Sequence, residues 1–211
     1  NVNGWTVYIQ KRLLREKRDA GTRAYTIVRD QLSQLTRTIP AQPLKQLQQV
    51  PIWICDRSDG PIHYHPQREW LIRNGYNPAK AKAVDISQVN NIIRSENTQP
   101  SVMLHELAHA YHDQVLGFDN PEIIAAYKQA VKSGVYESVL GIRGKQNRAL
   151  VLRDLFKPAG LLCKAHLWGC CHQKACKHAA DQSRPILHIA SFQVVFRRIF
   201  ALCYPYLYLC A

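Results

Sequence analysis

Apolar residues recur with two different periods along the first two thirds of the chain. Trp5 to Ile9 alternates apolar and polar positions and predicts a short strand. From Lys11 to Thr36 the spacing of Leu13, Leu14, Ala24, Ile27, Val28, Leu32 and Leu35 follows helical turns, with a break expected near Gly21. Pro40 and Pro43 punctuate this stretch, and Pro43 suits the first turn of a short helix ending near Gln49. Pro51-Ile52-Trp53-Ile54-Cys55 predicts a second strand, closed by the turn signal Ser58-Asp59-Gly60. His63-Tyr64-His65-Pro66 should be extended or turn structure, because a proline pushes the residue before it out of the helical region. Trp70-Leu71-Ile72 runs into the turn signal Asn74-Gly75, and Asn77-Pro78 opens a further turn or short helix. Val84-Asp85-Ile86 predicts a brief strand, and Val89 to Ile93 an irregular or short helical segment.

The stretch after Pro100 is the most legible. Proline is tolerated at a helix start, and Val102, Met103, Leu107, Ala110 and Tyr111 continue with helical spacing. Gly117 offers a left-handed stop. Asn120-Pro121 then supplies a cap and first residue for another helix, which runs to about Lys132 and ends at Gly134.

Composition narrows the class. At 46% hydrophobic and 20% charged residues, the 211-residue chain reads as a globular domain with a short appendage. No apolar run reaches the roughly 18 residues of a membrane span, so none is expected. The chain opens on Asn1 without a signal-peptide pattern and reads as a fragment or processed product. A net charge of +13 raises the possibility of nucleic-acid binding. Residues 1–148 hold 20 basic against 13 acidic residues, and residues 149–211 hold 8 against 2. No recognition motif accompanies this excess, and the basic residues near Lys11 to Arg18 alternate with Leu and acids as on a solvated helix face. No specific nucleic-acid partner is therefore expected. Cys55 is the one cysteine before residue 149, which makes no disulfide framework.

Against this background one motif carries chemistry: His105-Glu106-Leu107-Ala108-His109. Residues four apart on a helix share a face, so His105 and His109 present two imidazoles to one point, as a tetrahedral zinc requires. Glu106 lies one residue round, placed to reach a zinc-bound water and accept its proton as general base. The neighbours Leu104, Leu107, Ala108 and Ala110 mark a half-buried helix, where two His and a Glu without partners would be costly. Chance occurrence on a surface helix is the plain alternative.

Residues 101–122, Ser-Val-Met-Leu-His-Glu-Leu-Ala-His-Ala-Tyr-His-Asp-Gln-Val-Leu-Gly-Phe-Asp-Asn-Pro-Glu, resemble a family of zinc metallopeptidases related to the catalytic domain of anthrax lethal factor. The likeness takes in Trp5, Val50-Pro51-Ile52-Trp53, Tyr64-His65-Pro66, Trp70-Leu71 and Gly75-Tyr76-Asn77-Pro78 upstream. Downstream it includes Ala130 to Gly134 and Tyr136 to Leu140, so it covers about residues 1–148. The resemblance implies an α+β, zincin-like domain hydrolysing a peptide or protein substrate, with Zn2+ on His105 and His109 and Glu106 as the catalytic base. It places Tyr64 and His65 near a substrate groove. His112 is expected to make a supporting hydrogen bond or to face solvent rather than bind the ion. Relatives of a secreted toxin imply an extracellular setting.

The chain departs from that family after Arg148. The family takes its third zinc ligand from a later helix with a pattern like Asn-Pro-Met-Glu-Tyr-Phe-Ala-Glu, due near residues 154–161. Here the residues are Asp154-Leu155-Phe156-Lys157-Pro158-Ala159-Gly160-Leu161, and no Glu follows Arg148. Asp154 is the one nearby acid and the candidate substitute. Residues 149–211 carry six of the seven cysteines and no amphipathic plan, which predicts a divergent tail of uncertain fold, frameshifted, mis-spliced or read through. Cys170, Cys171, His172, Cys176 and His178 invite a metal-module reading, but their spacing matches no established zinc pattern. Two further readings stand beside the peptidase: an inactive zincin-like domain or truncated gene product lacking the third ligand, and a basic nucleic-acid-binding domain.

Overall fold

The computed structural model describes residues 1–96, 101–121, 124–125, 128, 132, 138–141 and 144–147. The chain divides into two compact units, Asn1–Leu116 and Gly117–Ala211. The tail boundary expected near residue 148, with Asp154 and the cysteine-rich cluster, lies outside the described residues.

In the first unit, strands β1 (Val7–Ile9), β2 (Ile52–Ile54), β3 (Ile62–His65) and β4 (Ala83–Ile86) form one sheet in the order β1-β2-β4-β3. β1, β2 and β4 run parallel, and β3 pairs antiparallel with β4 at the edge. Parallel neighbours need a crossover. The one between β1 and β2 is made of α1 (Lys11–Arg15), α2 (Arg18–Thr38) and α3 (Ala41–Leu47). Between β3 and β4 lie α4 (Arg68–Arg73) and a single 3-10 turn (Pro78–Lys80), whose Ala79 N–H donates to the Asn77 side chain. α5 (Val89–Ser95) and α6 (Val102–Tyr111) complete the unit.

Strand alternation divides the sheet into two unlike faces. One presents Ile52, Ile54, Val84 and Ile86, all fully buried together with Val28, Leu32, Met103 and Leu107. α6 packs on this side, against β3, β4, α2 and α3. Across the other face, pairing aligns Tyr8, Trp53, Asp85 and His63 in one row. Tyr8 and Trp53 stack there with ring centroids 4.4 Å apart.

The break expected near Gly21 falls instead at Glu16 and Lys17. Lys17 leaves the helical region there, and its ammonium pairs with the buried Asp56 at 2.9 Å. Gly21 is a buried residue inside α2, lying so close to α1 that a Cβ on it would sit 2.3 Å from the Leu13 carbonyl oxygen. Trp70-Leu71-Ile72 lies in a helix, α4, which ends at the expected turn of Asn74 and Gly75. The remaining expected elements of this unit are present, and no described helix is long and apolar enough to cross a membrane.

In the second unit, Pro121, Ile124, Ala125, Lys128 and Lys132 are helical, and the Ile124 N–H donates to the Asn120 carbonyl. β5 (Ser138–Gly141) and β6 (Gly144–Asn147) pair as an antiparallel hairpin.

Candidate metal centre

α6 is apolar at Val102, Met103, Leu107 and Ala110, and these residues fix its orientation by burying against the sheet and α2. Its first turn has no side-chain cap of its own. Instead Gln31 of α2 reaches across, and its Oε1 accepts the Met103 N–H at 3.0 Å, satisfying one of the donors every helix start leaves open. At the other end the helix widens into a π-helical turn, His112–Leu116, before Gly117 turns the chain at φ +76°.

With α6 fixed in this way, His105 and His109 stand one turn apart with their rings nearly perpendicular, at 85°. Their Nε2 atoms are 3.3 Å apart. Two nitrogens each about 2.0–2.1 Å from a tetrahedral zinc stand roughly 3.3 Å from one another, so the pair has the spacing of two ligands on one ion. Burial, and then the neighbouring His112, lower the His109 imidazole to about 4. It is therefore neutral at physiological pH, the form that binds metal.

Glu106 is buried beside this pair, and its two oxygens have different surroundings. Oε2 accepts the backbone N–H of Tyr64 at 2.8 Å, whereas Oε1 lies 3.9 Å from His105 Nε2. Burial pushes the carboxyl up to about 8, against the opposing pull of the Tyr64 N–H. A divalent cation beside it would favour the ionised form and reverse that shift. Candidate ligand atoms of His105, Glu106 and His109 all lie within 4.8 Å of one another, and no other such group occurs among the described residues.

Of the other residues singled out from sequence, Tyr64 meets the motif through its backbone. Its side chain is buried, and the hydroxyl donates to Asp113 Oδ2 at 2.5 Å and accepts from Gln114 Nε2 at 3.1 Å. Burial, with the Asp113 bond adding to it, raises the Tyr64 phenol. His65 does not join the motif. Strand alternation turns it to the opposite face, where it stacks on Trp70 at 4.1 Å and its Nδ1 accepts the Gln67 N–H. His112 is buried, so the solvent-facing alternative for it is wrong. Its imidazole is lowered by burial against the opposing charge of Asp113.

Gln31, Asp113 and Gln114 went unnoticed in the sequence. Asp113 stands seven residues after Glu106, a spacing that brings it to the same side of a helix, but its partner Tyr64 lies 49 positions away. The Gln31 contact spans 72 positions and has no local signal at all. No protein-family model matches this chain, and neither does any curated protein or solved structure.

Proposed function

We propose that the first unit is a zincin-like domain hydrolysing peptide bonds, with His105 and His109 as zinc ligands and Glu106 as general base. The observation carrying this reading is the convergence of the two Nε2 atoms at 3.3 Å with a carboxylate oxygen beside them. Zinc in such a site supplies Lewis acidity and a water acidified toward a pKa of about 7. The protein's own part is to hold two imidazoles in place and to keep Glu106 Oε1 beside them while Oε2 stays tied to Tyr64. The free oxygen then takes a proton from the attacking water and returns it to the leaving amine.

A second reading has its own support. Catalytic zinc sites generally use three protein ligands and a water. Among the described residues His105, Glu106 and His109 gather here. The sequence has no Glu after Arg148, where the resembling family takes its third ligand, and this favours a domain that binds metal without turning over.

Zinc stoichiometry and hydrolysis of a broad peptide library, measured for wild type and Glu106→Gln, separate the readings. One zinc per chain with hydrolysis abolished in Glu106→Gln supports the peptidase. Zinc without hydrolysis in either protein supports the silent domain. Salt-sensitive nucleic-acid binding without zinc would overturn both in favour of a basic binding module.

A further inference from the structure

The hydrogen bonds of Tyr64 join β3 to two separate places on the motif helix and its extension. Its backbone N–H holds Glu106 on α6, and its hydroxyl holds Asp113 in the π-helical turn beyond it. Gln114 adds a third tie, donating from one amide nitrogen to the Tyr64 hydroxyl and to the Lys82 carbonyl. β3 is an edge strand, paired through β4 alone, so its outer side is positioned by what it meets on the helix. That outer side carries the N–H which decides how the Glu106 oxygens are divided.

We infer that Tyr64 and Asp113 form a positioning pair for Glu106, an inference that rests on the peptidase reading for its functional meaning. The hydroxyl-to-carboxylate bond anchors the strand against the helix end. The anchored strand keeps its amide on Oε2, and this leaves Oε1 facing the two imidazoles. Neither Tyr64 nor the Asp113 side chain touches the reacting atoms. Both act through the carboxylate that does. The widened turn matters because it sets where Asp113 stands, and π turns inside helices often mark functional positions.

The test uses the full chain with Tyr64→Phe, Asp113→Leu and Asp113→Asn. Amide exchange at position 64 is followed in metal-free protein, with the Val84 amide, which donates to the Pro51 carbonyl, as an internal reference. Tyr64→Phe and Asp113→Leu should each speed exchange at position 64 about tenfold, the loss of one hydrogen bond to a charged group, and leave Val84 unchanged. Asp113→Asn keeps an acceptor and should restore protection. In zinc-loaded protein the two disruptive variants should lower kcat about tenfold at constant KM and zinc affinity. Unchanged exchange at position 64, equal acceleration at Val84, or a loosened amide with unaltered kcat would each overturn the pairing. If wild type neither binds zinc nor cleaves peptides, the peptidase reading fails, while exchange at position 64 still decides whether the pair holds the strand.

Discussion

Asp85 shows how much of this unit depends on single buried charges. It is almost wholly inaccessible, yet it gathers Lys80 Nζ at 2.7 Å, Ser87 Oγ at 2.8 Å and His63 Nε2 at 3.7 Å. Burial alone would raise its carboxyl, but the nearby His63 ring, the Lys80 ammonium and the Ser87 hydroxyl outweigh that and hold it below the ordinary value. The sign follows from linkage. A carboxyl depressed in the folded state contributes stability that is fully present above its unfolded pKa, about 3.9, and lost as pH falls through the folded value. Urea midpoints should therefore drop on acidification below about pH 4, and Asp85→Asn should flatten that part of the profile. The same variant leaves Lys80 buried without its counter-charge, at a cost of about 3–5 kcal/mol near neutral pH. A near-neutral midpoint unchanged in Asp85→Asn would rule this account out. From sequence Asp85 was visible as a strand residue and nothing more, because Lys80 reaches it by way of a separate turn that no periodicity announces.

At the scale of elements, local pattern succeeded where local forces decide and failed where a neighbouring helix does. The course of α6 was readable because its apolar spacing and Gly117 agree on one helical stretch, although the widening at His112–Leu116 has no local signal. Gly21 misled for the opposite reason: glycine inside a helical pattern suggests a break, but here it permits a close approach of two backbones. That difference makes an experiment with opposite signs. In an exposed helix Gly→Ala stabilises by about 1 kcal/mol, whereas Gly21→Ala should destabilise by about 1–3 kcal/mol, because a backbone oxygen cannot move aside as a side chain would. Thermal melts of the variant decide between the two. Gln31 makes a parallel case. Removing its cap in Gln31→Ala should cost about 0.5–2 kcal/mol, read as a lower denaturant midpoint at unchanged slope.

At the scale of the molecule, the helices and strands of the first unit were largely anticipated, whereas their arrangement and the β5–β6 hairpin were not. Nothing in Ile62 to His65 announces that it pairs antiparallel at an edge while β1, β2 and β4 run parallel. That arrangement brings the Tyr64 amide to Glu106 and carries His65 away from it. The two imidazoles and the carboxylate were legible, since helical geometry alone brings them together. If they hold zinc, the ion must favour the folded chain over the unfolded one. At a free zinc concentration one hundred times the dissociation constant the gain is about 2.7 kcal/mol. Zinc should raise the melting temperature of wild type, a chelator should reverse the rise, and His109→Ala should abolish it. A melting temperature indifferent to zinc would remove the metal from the account.

The reach of Gln31 to the start of α6 also bears on the order of assembly. An acceptor supplied from 72 positions upstream arrives only after a large loop has closed, and that closure is slow and entropically unfavourable. The helix bearing the two imidazoles therefore becomes complete late, once α2 already lies against it. If the site takes a metal ion, an ion meeting the unfolded chain finds the motif without this cap. An ion that binds there would meet a finished socket only after this packing is in place.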